Sequence, residues 1–544
     1  MRRTRLHLLP FLCLLLTVQL QAVHRKPLPS RISAILSDAQ LARGFWGIEV
    51  LSLSSRKVLY SQNADKLFTP ASNTKLFTTA AAIALIGPDY KCRTTVETTG
   101  TLDKYGRLNG DLLLVGRGDP NLSGRELPYA VRTARSDRPI KVLEDLADTL
   151  VRKGVKYVDG DIVADDSYFA FERYGEGWSQ DDLVWSDGAP VSALTINDNV
   201  VFVNILPADH AGERAFVSIT PFADYYRIDN RIITTPSGTD RKIFVNREPG
   251  STMVTLWGNM PLDDRGADEA VAIEDPADFA AELFRSLLEK RGITVYGQQR
   301  TRHTELASLS TFSVTTTAPA GGGDENPLRP SRNGERLVLA SHDSEPLIED
   351  VRVINKVSQN LHAEILLRLL GREKGTSGTV EGGREVVRGF LTKAGVPSDQ
   401  YVFYDGSGLS RQNLVTPQAV VQLLSYAAVQ PWAGSFRATL PVAGVDGSLA
   451  DRFKSGTAEG RVYAKTGSLG GVKTLAGYAT TDSGDQVAFA ILSNNLNLPS
   501  KQVTDTIDQI LETVLDDGPA KKPVISNRLG QSDLAQQKGN GNGR

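Results

Sequence analysis

Two cysteines are all that the 544 residues contain. Cys13 lies in an apolar N-terminal run that reads as a removable leader, and Cys92 then stands alone as a small buried hydrophobe. No intramolecular disulfide is left, so an exported chain of this kind must be held by a large core. Histidine is scarce as well. The six present show no metal-ligand spacing and no His-Glu-x-x-His, so no metal and no other cofactor is expected. The Gly-x-Ser-x-Gly elbow is missing, because Asp405-Gly406-Ser407-Gly408 carries Asp where the first Gly would stand. Neither sign of charge dominates. A formal net charge of −2 gives no footprint for nucleic acid. Past the N-terminus no apolar run is long enough to cross a bilayer.

What is there begins with a leader. Arg2, Arg3 and Arg5 precede an apolar run over 8–20, and Ala22 is a suitable cleavage position, so residues 1–22 read as a secretory signal. Pro10 and Gln19 interrupt the run, which weighs against a retained membrane anchor. Phe11-Leu12 before Cys13 weighs against a lipoprotein signal. Cleavage would leave no transmembrane anchor. The rest is long enough for two to four domains.

Residues 28–43 read as an amphipathic helix ending near Gly44, and 45–60 as two strands around Ser54-Ser55-Arg56. An apolar helix follows, ended by Gly87-Pro88. From about Cys92 short strands dominate, over 112–115, 161–164, 200–206, 215–219, 231–235, 242–246 and 252–257. Helices at 142–153 and 276–291 interrupt them. The second has Asp275 as N-cap and Pro276 at its first position. Residues 318–333 are a polar, Gly-rich loop or linker. Helical periodicity returns over 347–370, 383–394 and 417–429. Apolar strands follow at 462–468, 475–480 and 487–493. Val503, Ile507, Ile510, Leu511, Val514 and Leu515 make a closing amphipathic helix, and 517–544 read as a disordered tail.

One stretch can carry chemistry. Ser72 and Lys75 sit at the head of the apolar helix, three apart, and so share a face one turn from each other. A serine hydroxyl attacks only when something takes its proton. A lysine kept neutral by burial and nearby positive charge can do so. The same spacing in Ser54-Ser55-Arg56-Lys57 falls in a hairpin turn and heads no buried helix.

Two further motifs follow in order. Ser358-Gln359-Asn360 lies inside a helical region, and Lys465-Thr466-Gly467-Ser468 closes an apolar strand. Ser-x-Asn also occurs at Ser61, Ser331 and Ser493, but Lys-Thr-Gly occurs once. The order Ser-x-x-Lys, Ser-x-Asn, Lys-Thr-Gly is the signature of penicillin-binding proteins and serine β-lactamases. Acyl transfer at a C-terminal D-alanine needs each part. Ser72 supplies the nucleophile and Lys75 the base. Ser358 relays the proton to the departing nitrogen, and Asn360 binds the substrate amide. Lys465 makes the pocket positive, and Thr466 binds the terminal carboxylate. The backbone N–H groups of Ser72 and Ser468 form the oxyanion hole.

The resemblance narrows further. In residues 70–75, 116–120, 358–364, 405–411, 440–449 and 464–469 the chain resembles the class C low-molecular-mass penicillin-binding proteins. These are the D-alanyl-D-alanine carboxypeptidase/endopeptidase family, penicillin-binding protein 4 type, peptidase family S13. The resemblance implies an α+β fold of the penicillin-binding/β-lactamase-like transpeptidase kind, an antiparallel sheet flanked by helices. Residues 28–95 and 336–516 would build it. A large β-rich insert at 96–335, expected to divide in two, would follow the Ser-x-x-Lys helix.

It further implies hydrolysis of peptidoglycan stem peptides through an acyl-enzyme on Ser72, inhibition by β-lactam antibiotics, and a place in the periplasm or cell wall. It assigns Asp165 to the ammonium and Phe169 to the stem of a diaminopimelate side chain, with Arg411 on its distal carboxylate. Ser468 and Thr466 also line the substrate site. Gly470 stands where relatives often carry a larger polar residue, which implies looser side-chain recognition. The alternatives are a serine β-lactamase and a non-catalytic wall-binding protein on the same fold. No Glu-x-x-Leu-Asn lies between Asn360 and Lys465, and every catalytic residue type is present.

Overall fold

The computed structural model describes residues 26–130, 138–309 and 336–516. The leader, the Gly-rich stretch at 318–333 and the tail from 517 lie outside the described residues.

The chain opens with helix α1 (Leu28–Leu36), strands β1 (Phe45–Ser52) and β2 (Val58–Gln62), and helix α2 (Thr74–Leu85). It then leaves for a long excursion. This comprises β3 (Arg93–Thr98), β4 (Leu112–Val115), α3 (Lys141–Arg152), β5 (Ile162–Ala170), β6 (Val200–Leu206), β7 (Phe216–Thr220), β8 (Arg227–Thr235), β9 (Lys242–Asn246), β10 (Met253–Pro261), β11 (Ala267–Ala272), α4 (Pro276–Lys290), β12 (Gln299–Thr304) and β13 (Leu337–Asp343). It returns with α5 (Leu347–Arg352), α6 (Asn360–Lys374), α7 (Val380–Lys393), α8 (Pro417–Ala427), β14 (Val462–Leu469), β15 (Val472–Thr480), β16 (Gln486–Asn494) and α9 (Ser500–Leu515).

The two ends of the chain share one antiparallel sheet, ordered β2-β1-β16-β15-β14. Its central pairing sets Ile48 opposite Ile491 and Val50 opposite Phe489. Alternation along each strand makes two apolar faces. Ile48, Val50, Leu475, Phe489 and Ile491 pack with Ile32 of α1 and with Val503, Ile507, Ile510 and Leu511 of α9. Ala476, Ala488, Ala490 and Leu492 point the other way, onto Leu76 and Phe77 of α2 and the apolar faces of α6 and α8. Alanines on that face let helices come close to the sheet. Helices flank the sheet on both sides, as expected, and the first and last helices share one face.

The excursion has sheets of its own. One is five-stranded, β12-β5-β4-β3-β13, and two are three-stranded, β7-β6-β11 and β8-β10-β9. Leu146 and Leu150 of α3 and Phe279, Phe284 and Leu288 of α4 fill a core with Leu114, Ile162, Val203 and Leu256. α4 starts as its sequence predicts: Asp275 Oδ1 accepts the N–H of Ala277 at 3.0 Å and of Asp278 at 3.3 Å. Two calls differ. The first helix stops at Leu36, because Asp38 Oδ1 takes the N–H of Gln40 at 2.8 Å and of Leu41 at 3.3 Å and restarts the chain as a short 3₁₀ turn. The helical run at 347–370 is broken. α5 widens into a π turn over Val353–Val357, Ser358 adopts φ of 69°, and Gln359 caps a new helix.

Candidate active site

Ser72 sits in a single 3₁₀ turn, Ala71–Asn73, directly before α2, and Lys75 is the second residue of that helix. Ala71 holds φ of 48°, an uncommon conformation for a residue with a side chain. It turns the chain sharply into the helix. Lys75 is fully buried, and its Nζ reaches Ser72 Oγ at 2.9 Å, Asn360 Oδ1 at 2.6 Å and the Ser407 carbonyl at 2.6 Å. Burial pulls its pKa down to about 8, against the pull of the Asp405, Glu364 and Asp187 carboxylates. Roughly a tenth of Lys75 is therefore neutral at pH 7, a share that rises steeply toward pH 8, and that form can accept the Ser72 proton.

A second Ser–Lys pair stands beside the first. Lys465 Nζ on β14 lies 2.8 Å from Ser358 Oγ and 2.8 Å from the Thr466 carbonyl. Burial, with the charge of Lys75 nearby, lowers its pKa well below the ordinary lysine range. The break before α6 explains how Ser358 gets there. The wide turn and the left-handed residue swing its hydroxyl out of the helix, toward the strand. Thr466 Oγ1 meets Ser448 Oγ at 2.7 Å, at the exposed end of the site. Ser448 follows a turn held by Asp446, which accepts the Val442 N–H at 2.9 Å and pairs with Lys356 of the wide turn.

Gly467 lets β14 close on the Ser72 turn. A Cβ there would stand 2.1 Å from Thr474 Oγ1, 2.8 Å from the Pro70 carbonyl and 3.1 Å from the Ser72 nitrogen. The backbone around Ser72 and the strand running into Ser468 thus lie side by side, as an oxyanion hole made of the two would require. Ser468 itself is exposed, and its Oγ accepts from Lys473 Nζ at 2.6 Å.

The loop at 405–411 supplies what the three motifs do not. Asp405 accepts from the N–H of Gly408 at 2.8 Å and of Ser410 at 2.6 Å, from Asn413 Nδ2 at 2.6 Å, and from Trp178 Nε1 at 3.0 Å. Glu364 Oε1 accepts the N–H of Gly406 at 2.9 Å and of Ser407 at 2.8 Å, and is backed by the buried Arg368 at 3.1 Å. Together they aim the Ser407 carbonyl at Lys75. Burial, and then Asp405, push the Glu364 carboxyl above the ordinary range. The excursion also reaches this place. The Asp187 carbonyl accepts from Asn360 Nδ2 at 3.0 Å, and the Gly177 carbonyl from the Arg411 N–H at 3.4 Å.

Of the residues read from the sequence, Ser72, Lys75, Ser358, Asn360, Lys465 and Thr466 converge here. Arg411 lies exposed at the rim, with Nη1 3.3 Å from the Gly470 carbonyl. Asp165 and Phe169 do not join the cluster. Asp165 is buried on β5, where it accepts from Ser167 Oγ at 2.5 Å and faces Arg302 and Arg336, each at 3.5 Å. Phe169 is buried among apolar residues at the junction with α6. The sequence pointed to the 405–411 and 440–449 stretches without the parts played by Asp405, Ser407 and Ser448. No spacing rule marks a carbonyl as a lysine partner.

Two Ser–Lys pairs set against one edge strand of an antiparallel sheet form an apparatus for serine acyl transfer. Comparison with known proteins agrees. The model of the D-Ala-D-Ala carboxypeptidase 3 (S13) family matches residues 28–319 and 328–514. A D-alanyl-D-alanine carboxypeptidase of Actinomadura sp. (strain R39) is 34% identical over 480 residues, covering 86% of this chain and 81% of the relative. D-alanyl-D-alanine carboxypeptidase DacB of Haemophilus influenzae is 26% identical over 460 residues, covering 82% and 85%. The crystal structure of penicillin binding protein 4 from Haemophilus influenzae superposes with a TM-score of 0.72 at 24% identity, over 89% of this chain and 98% of that one, and shares the fold. The chain belongs to the D-Ala-D-Ala carboxypeptidase 3 (S13) family. It is a serine-type D-Ala-D-Ala carboxypeptidase.

Proposed function

We propose that Ser72 is the nucleophile of this carboxypeptidase and that its substrates are peptidoglycan stem peptides. The observation that carries the reading is the fully buried Lys75, 2.9 Å from Ser72 Oγ with its pKa brought down to about 8. Neutral Lys75 takes the Ser72 proton as Oγ attacks the carbonyl of the penultimate D-alanine. The oxyanion rests on the Ser72 and Ser468 N–H groups. Ser358, fed by Lys465, hands a proton to the departing D-alanine nitrogen. Thr466 and Ser448 meet the terminal carboxylate, next to Lys465. Asn360 Nδ2 has two hydrogens, one given to Asp187, and the other serves the substrate amide. Water then hydrolyses the ester.

Arg411 at the rim suits a carboxylate further along the stem peptide. A cross-linked peptide offers the same D-alanyl bond, so endopeptidase activity follows from the same parts. β-Lactams present the same acyl carbon and acylate Ser72. The substrate lies outside the cytoplasmic membrane, which agrees with reading 1–22 as an export signal.

Intact-protein mass after incubation with benzylpenicillin tests this. A stoichiometric penicilloyl adduct in the wild type, absent in Ser72→Ala, is the expected result. Fast turnover to penicilloate with no lasting adduct would replace the reading with a β-lactamase.

A further inference from the structure

We propose that His362 is a positioning residue: its imidazolium, clamped between Asp350 and Asp198, holds Ser358 and Asn360 in place against the two catalytic lysines. His362 lies two residues beyond Asn360 and is fully buried. Its Nδ1 is 2.7 Å from Asp350 Oδ1 on α5, and its Nε2 is 3.1 Å from Asp198 Oδ1 on the excursion. A neutral imidazole has one N–H, so only the doubly protonated ring donates to both carboxylates. Arg125, also from the excursion, pairs with Asp198. With a carboxylate against each ring nitrogen, the surroundings of His362 favour the charged imidazolium. Beyond Asp350 lie the Cys92 thiol and Asp119, the latter facing His342 Nε2 at 3.6 Å. Burial acts to lower the His362 pKa, but Asp350 and Asp198 outweigh it and raise it to about 9.

The geometry ties this clamp to the reaction. Residues two apart on a helix point to opposite sides, so Asn360 can face Lys75 while His362 anchors the far side of the same turn. Gln359, the middle residue of the Ser-x-Asn motif, gives its Nε2 to Asp198 Oδ2 at 3.1 Å. Asp350 and His362 bracket the wide turn and Ser358, whose φ is 69°. Asn197, Asp198 and Asn199 hold φ of 51°, 53° and 53°. Such conformations persist only where their surroundings over-determine them. Both sides of the contact are therefore fixed in uncommon backbone shapes, and the imidazolium joins them.

The inference rests on Ser72 being the nucleophile, and its own test is separable. The second-order rate of acylation by benzylpenicillin is measured from pH 6 to 10.5 for the wild type, His362→Gln and Asp198→Asn, with thermal melts and KM for a D-Ala-D-Ala peptide alongside. At pH 7.5 the His362→Gln enzyme acylates about 10- to 100-fold more slowly, the loss that misplacing a catalytic group brings, with KM little changed. The wild-type rate falls at high pH with a midpoint near 9. That midpoint moves to lower pH in Asp198→Asn, which removes one of the two charges holding the proton. A limb belonging to Lys465 would stay where it is. A ¹³C-histidine spectrum of the wild type shows one ring titrating with the kinetic limb. Folded variants that acylate as the wild type does, a limb unmoved in Asp198→Asn, or no ring titrating near pH 9 would each overturn the proposal. If neither variant folds, the wild-type spectrum decides. Failure of the nucleophile assignment looks different: no adduct in the wild type at any pH.

Discussion

Lys75 carries two burdens that oppose each other. It must be buried to lose its proton, yet three carboxylates, Asp405, Glu364 and Asp187, pull the proton back. With Lys75 as the proposed base, that balance near 8 sets the low-pH side of the reaction. Acylation by benzylpenicillin therefore rises from pH 6 with a midpoint near 8, readable by stopped-flow, before the high-pH limb assigned to His362 turns it down. Lys75→Met lowers that rate by about 10²- to 10⁴-fold, the usual contribution of a general base. Glu364 and Arg368 form a pair with no exposure on either side. Arg368→Met leaves a buried carboxylate without its cation and costs about 3–5 kcal/mol in urea unfolding. It also loosens the Ser407 carbonyl, so acylation slows in whatever fraction stays folded. The three motifs were legible in the sequence because each is a fixed spacing of reactive side chains. Asp405 and Ser407 were not, since their work is done by a loop shape and a backbone oxygen.

Among the elements, β14 is the one that admits least change. Gly467→Ala would push a Cβ into Thr474 Oγ1 and the Pro70 carbonyl at once. Thr474 Oγ1 donates to that carbonyl at 3.0 Å, so neither can simply step aside. The strand must separate from the Ser72 turn. The expected loss is about 1–3 kcal/mol of stability, with a larger drop in penicilloyl labelling than in melting temperature. Strands and helices with a clean apolar period were legible. The strands at 200–206 and 242–246 and the capped start of α4 fall where their residues put them. The break at Ser358 was not legible. Val351, Val353, Ile354 and Leu361 are all buried on either side of it, so the apolar period runs on through a change of helix. What breaks the helix is contact with β14, Asp446 and Asp198, all far away in the chain. Asp165 shows the converse. A local match placed it with the substrate, and its environment on β5 pairs it with arginines.

The whole molecule depends on protons held by two histidines that lie between carboxylates. His303 lies between Asp166 at 2.8 Å and Asp275 at 3.4 Å, with its pKa raised to about 10, and His362 is raised to about 9. For both, burial opposes the charge and the carboxylates prevail. An unfolded histidine titrates near 6.5. Folded values above that mean the stabilisation is full below about pH 6.5 and is lost as pH rises through 9 and 10. The melting temperature should fall from pH 7 to 10.5 in differential scanning calorimetry, and His303→Asn should flatten part of that slope.

The sheet order carries a consequence for how the enzyme comes into being. β1 pairs with β16, and the Ser72 turn rests on β14, so the first part of the chain waits for the last. While the ribosome works through the long excursion, Ser72 and Lys75 already exist, but Lys465 does not, and one edge of β1 has nothing to bind. A chain halted before residue 460 should take no penicillin label and should clump, which a truncated gene would show at once on a gel. Newly made copies of this carboxypeptidase thus have no assembled Ser72 site until synthesis is nearly over.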